Sequence, residues 1–159
     1  MSQYAALVGQ IKQALEDLEG VGQRVNDLLT QAQRSPDRAY LEAAALYLHT
    51  FYSGVEQIFI DIAREIDEAT PTHEGWHKAL LRQMAAELPA VRPPVITIET
   101  RRCLDEYRGF RHVVRNVYTF NLNPNRIMEL ATALPDCYQA IKRDLADFSQ
   151  FLLRASQEE

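Results

Sequence analysis

The densest run of chemically capable side chains lies between Tyr107 and Tyr118, in the stretch YRGFRHVVRNVY. Arg101, Arg102, Arg108, Arg111, Arg115 and Arg126 all fall in or beside it. Wound as a helix at about 100° per residue, the segment puts Cys103, Tyr107, Phe110, Val113, Val114 and Val117 on one face, which is expected to be core. Arg108, Arg111, His112, Arg115 and Asn116 take the opposite side, with Tyr118 at the border beside Arg111. A solvated charged face is the ordinary reading of such a pattern. Solubilising faces usually mix signs, however, and the cations here are three arginines and no lysine. Arginine's planar fork is suited to phosphate recognition.

The chemistry open to that face is narrow. It holds no paired carboxylates, no glycine-rich phosphate loop, and no serine or cysteine beside a histidine. The histidines, His49, His73, His77 and His112, are scattered. His73 and His77 straddle the start of a helix without an acidic pair to complete a site, so surface or capping roles are expected of them, and no metal. What remains is metal-free phosphodiester cleavage, with arginine stabilising charge on the phosphate while another side chain moves a proton.

Helices must position these groups. Leu7, Ile11, Leu15, Leu18, Val25 and Leu28 recur at helical steps, predicting a first helix from about Gln3 to Gln33 that Gly20 and Gly22 could kink. Ser35 and Pro36 suit the N-cap and first position of a second helix, reaching about Glu68. Its apolar stripe is Leu41, Ala44, Leu48, Phe51, Val55, Ile58, Ile62 and Ile66. A short helix follows from about Glu74 to Leu88, with Trp76, Leu80, Leu81 and Met84 on its apolar side. PAVRPP, Pro89 to Pro94, is a rigid loop. The arginine helix spans about Thr97 to Phe120, and a last helix, with a bend expected at Pro135, about Arg126 to Ala155. The expected fold is all-α: an antiparallel four-helix bundle with one short additional helix, forming a single domain over residues 1–159.

The whole chain bounds this further. At 159 residues, 47% hydrophobic and 25% charged, it is sized and composed as one globular domain. No apolar run approaches the roughly 20 residues that cross a bilayer. A net charge of −5 excludes a general electrostatic nucleic-acid binder, but a local basic patch can still handle phosphate. The start, MSQYAALVGQIKQ, does not read as a signal peptide. Cys103 and Cys137 are expected to form no disulfide framework and no metal site, which points to a reducing cytoplasm.

FRHVVRNVY resembles the signature of HEPN domains, in particular of HepT-type toxins: arginine, a polar residue, three others, histidine, any residue, tyrosine. The arginine falls on Arg111, the polar neighbour on His112, the histidine position on Asn116 and the tyrosine on Tyr118. LHTFYSGVEQIFIDIAREID, GWHKALLRQMA, LDEYRGFRHVVR and LPDCYQAIKRDLADFSQFL resemble the same family, so the likeness runs from about Tyr40 to Leu153. It implies a homodimeric four-helix bundle whose motif helices line one cleft, acting as a metal-independent endoribonuclease on tRNA or mRNA. It implies attack of a 2′-hydroxyl on the adjacent phosphate with histidine as general acid or base. It further implies an MntA-like nucleotidyltransferase antitoxin, which transfers AMP from ATP to Tyr118; the toxin itself needs no cofactor.

The chain departs from that pattern at Asn116, whose amide has no proton to exchange near neutral pH. Such a loss costs on the order of 10²–10⁴ in rate, so a catalytically impaired chain is expected. The alternative is a non-catalytic HEPN module that binds nucleotides or a nucleotidyltransferase. Arg108 and Arg115 are candidate RNA-backbone contacts. Trp76 and Tyr107 are expected in the core, and Glu56, Asp61 and Glu65 either pair with the arginine helix or lie on the surface.

Overall fold

The three- and four-residue spacing of apolar side chains becomes a set of long helices in the computed structural model, which describes residues 3–116 and 121–158. The helices are α1 (Ala5–Arg34), α2 (Ala39–Ile62), α3 (Trp76–Ala85), α4 (Ile98–Asn116) and α5 (Pro124–Gln157). No strand occurs among the described residues. α1 packs on α2 and α5, α2 on α4 and α5, and α4 on α5, while the short α3 bridges α2 and α4. This is the expected all-α bundle of four main helices with one short addition.

Leu7, Ile11, Leu18, Val25 and Leu28 are buried along α1, and Leu15 is half-buried. Gly20 and Gly22 leave the helix continuous, with open space where a Cβ would stand. Gly54 on α2 is different, because a Cβ there would meet Leu18 Cδ2 at 2.7 Å. The missing Cβ lets the Leu18 side chain of α1 pack against the backbone of α2.

α2 starts later than Pro36 because local turn chemistry intervenes. Ser35 Oγ accepts the N–H of Asp37 at 3.2 Å, and Asp37 Oδ1 accepts the N–H of Ala39 at 2.9 Å. The helix passes into a π-helical turn, Ala63–Asp67, that ends on Glu68 at φ 54°. Asp67 faces Arg92 from the proline loop, and both side chains are fully buried. Arg92 Nε and Nη2 grip the two carboxylate oxygens at 2.6 and 2.8 Å. Nη1 donates to the carbonyls of Ala86 and Pro93, and Nη2 also to that of Gln83.

α4 is anchored on several sides. At its start Thr97 Oγ1 accepts the Thr100 N–H at 3.2 Å, and the buried Asp144 of α5 accepts the Thr97 N–H at 3.0 Å. Tyr107 is core, as expected, and its hydroxyl donates to the Leu130 carbonyl at 2.8 Å. Cys103 and Cys137 are disulfide-bonded across α4 and α5, with Cα atoms 6.0 Å apart. This corrects the expectation that the two cysteines stay unbonded, since 34 residues of sequence separation hide a side-by-side placement. Cysteine usage therefore no longer points to a reducing compartment.

The buried face of α4 is also turned from the expected one. Leu104 is fully buried, whereas Val113, read as core, is 42% exposed. α5 begins at Pro124, with Asn123 Oδ1 accepting the Asn125 N–H at 3.0 Å, and runs through Pro135 as one helix.

Candidate functional site

The C-terminal half of α4 lies against α2, and that pairing decides what each arginine can do. Arg111 is half-buried, and its Nε donates to Ser53 Oγ of α2 at 3.1 Å. No carboxylate pairs with it among the described residues. A neutral hydroxyl orients the guanidinium without cancelling its charge, and leaves donors for a ligand. Arg115, one turn further along, is exposed and likewise has no carboxylate partner among the described residues.

His49 stands one turn before Ser53 on α2, half-buried. Its pKa is pushed below the ordinary imidazole value of 6.5, first by burial and then by the positive charges of Arg111 and Arg115. The neutral imidazole is therefore the favoured form near neutral pH. Tyr52, buried three residues further on, has its phenol pushed far above the ordinary range by burial and then by the Glu56 carboxylate. The fields of Arg108, Asp105 and Arg111 also reach it. α2 thus presents a histidine, a serine and a buried tyrosine towards the arginine helix.

The other expected residues are distributed differently. Arg108 is tied to Asp105 by an ion pair of 2.7 Å, so the cationic face is not free of acid. His112, about 100° round the helix from Arg111, is exposed. Asn116 closes α4; its side chain and all of Tyr118 lie outside the described residues. His77 has neither a surface nor a capping role: its Nδ1 sits 2.7 Å from Oε2 of the buried Glu56. The ring also stacks on the half-buried Trp76, with centroids 3.7 Å apart. Glu56 therefore pairs with α3 and not with the arginine helix, and Asp61 pairs with Arg64. No group of three or more histidines, cysteines or acids able to hold a metal occurs among the described residues.

A second cationic feature lies further back on α4. Lys78 and Arg82 of α3 and Arg101 and Arg102 of α4 line a groove of about 440 Å³. The acids in that groove are committed elsewhere, Asp105 to Arg108 and Glu106 to Arg126. The four cations carry no ion pair among the described residues.

The sequence model of the HepT-like protein family matches residues 43–152. This chain belongs to the HepT-like family. The match takes in His49, Ser53, Arg111 and Arg115 and runs from the first turns of α2 nearly to the end of α5. A HepT-like chain is a HEPN module of the toxin type, the family resembled by the motif stretch and its flanking segments. No curated protein and no solved structure matches the chain. No described helix of this HepT-like protein is long and apolar enough to cross a membrane.

Sequence reasoning missed His49 and Ser53. Both fall inside the α2 stripe pattern at positions that look like ordinary bundle flanks. Only the packing of α2 on α4 sets Ser53 against Arg111 and His49 in the field of Arg111 and Arg115.

Proposed function

We propose that this protein is the toxin of a toxin–antitoxin pair, a metal-independent endoribonuclease that cleaves tRNA or mRNA in the cytoplasm. The observation that carries this reading is Arg111, a half-buried guanidinium oriented by Ser53 and left without a carboxylate among the described residues. Such a group stabilises the charge that builds on a phosphate under attack by a neighbouring 2′-hydroxyl. The cations of Arg101, Arg102, Lys78 and Arg82 would hold the backbone further back along α4.

The active species in this reading is a homodimer. Arg111 and Asn116 are five residues apart, so one helix splays them by roughly 140°. A two-fold copy of α4 would bring both pairs to a common cleft. The exposure of Val113, and the open space around Gly109, are compatible with a second copy seated there. The antitoxin would be an MntA-like nucleotidyltransferase that transfers AMP from ATP to Tyr118, adding bulk and negative charge to the motif segment that carries Arg111.

The test is RNA cleavage in the presence of a chelator. The unsubstituted chain cleaves slowly, Arg111→Ala does not, and Asn116→His cleaves faster. An Asn116→His protein that is inert towards RNA removes this account. A second reading, a non-catalytic module that binds a nucleotidyltransferase, is favoured by one observation, the asparagine at the motif histidine position. Incubation with an MntA-type enzyme and ATP separates the two. A mass gain of one or more AMP units that Tyr118→Phe abolishes supports the toxin, and nucleotide binding without modification supports the module.

A further inference from the structure

Asparagine at position 116 leaves the motif histidine position without a proton carrier, and the element facing Arg111 can supply a replacement. α2 is that element, since Arg111 Nε bonds Ser53 Oγ at 3.1 Å. Residues four apart on a helix share a face at about 5–6 Å between Cβ atoms. His49 therefore lies one turn from Ser53 on the face turned to α4, and Arg115 lies one turn beyond Arg111. The other three histidines are placed elsewhere. His77 is bound to Glu56, His73 is exposed ahead of α3, and His112 is on the exposed side of α4.

We propose that His49 is the general base of the Arg111 site, accepting the proton of the attacking ribose 2′-hydroxyl. The assignment rests on the ribonuclease reading above. In the step, the 2′-oxygen forms a bond to phosphorus as the bond from phosphorus to the 5′-oxygen breaks. The 2′-hydroxyl proton passes to the imidazole, and the leaving 5′-oxygen takes a proton from water. The hydroxide so formed removes the proton from the imidazolium, which restores the enzyme. The products are a 2′,3′-cyclic phosphate and a 5′-hydroxyl, with no co-reactant beyond that water. Arg111, and Arg115 one turn on, supply positive charge where the phosphate gains negative charge.

The surroundings suit a base. Among the described residues on the helices packed against α2, the charges acting on His49 are Arg111 and Arg115, both from α4. With its half-burial they keep the ring unprotonated near neutral pH, ready to accept. Asn116→His would then add the missing acid for the leaving oxygen, on top of a base already in place.

The experiment is a pH–rate profile of the full chain on a short RNA, comparing the unsubstituted protein with His49→Gln, His49→Ala and Arg111→Ala. His49→Gln should lower kcat by about 10²–10⁴-fold with KM nearly unchanged, and erase the acidic limb of the profile, which lies below pH 6.5 in the unsubstituted protein. Free imidazole should restore part of the rate to His49→Ala. Cleavage that Arg111→Ala abolishes but His49→Gln leaves intact overturns the role of His49 and keeps the ribonuclease. No cleavage by the unsubstituted protein overturns both. NMR titration of the imidazole needs no turnover: His49 should titrate below 6.5 and move up in Arg111→Ala. A His49 signal unmoved by Arg111→Ala overturns the proposed juxtaposition.

Discussion

Arg92 and Arg111 are both withdrawn from solvent, yet the fold treats them in opposite ways. Arg92 is 3% exposed, and its three nitrogens are engaged by Asp67 and by the carbonyls of Gln83, Ala86 and Pro93. Arg111 is half-buried and, among the described residues, bonds only to a serine hydroxyl. The first guanidinium is consumed in tying the proline loop to the end of the π-helical turn. The second is oriented and left charged. A satisfied arginine organises the chain, whereas an unsatisfied one is available to an anion.

The comparison predicts opposite phenotypes. Arg92→Ala leaves the Asp67 carboxylate buried without its partner, and should destabilise the protein by about 3–5 kcal/mol in chemical denaturation. A loss under 1 kcal/mol would break the contrast. Reduction of the Cys103–Cys137 bond tests how far α4 depends on its own anchors. The chain-entropy model for a loop of this size predicts a loss of about 3–4 kcal/mol, read as a lower denaturation midpoint with a reductant present.

Arg111→Ala should lower RNA cleavage by about 10²–10³-fold. Its cost in stability should stay near 1 kcal/mol, the usual worth of one hydrogen bond. Equal damage to folding would make Arg111 a second structural arginine. The smallest effect is a pH dependence of stability. His49 has a lower pKa folded than unfolded, so the unfolded chain binds more protons in the window between the two values. Its contribution is complete above about pH 6.5 and is lost as pH falls through the lowered value. Arg111→Ala should shrink that acid sensitivity by raising the folded-state pKa.

Much of the bundle could be read from the chain because a buried helix face repeats every three or four residues. Phe51, Val55, Ile58 and Ile62 are core for that reason, as are Leu130, Leu134, Ile141 and Leu145 on α5. The errors arise where two local rules compete. Ser35 and Asp37 bond to nearby N–H groups and delay α2 past Pro36. On α4 an idealised helical wheel put Val113 inside and passed over Leu104, because the direction of the buried stripe depends on which helices flank it.

The motif stretch from Tyr107 to Tyr118, with its flanking segments, pointed to the family and to Arg111 as the candidate phosphate-binding group, since both readings reside in residue types at fixed helical spacing. It determined equally that position 116 carries no titrating group. Only the tertiary structure decided that Arg92 is committed to a buried carboxylate and carbonyls while Arg111 meets, among the described residues, a hydroxyl instead, because those partners are distant in sequence. It also decided the disulfide, the bond of Ser53 with Arg111, and the placement of His49 in the field of Arg111. Those pairs lie 34 to 62 residues apart, and no periodicity within one helix encodes the face that another helix will present to it.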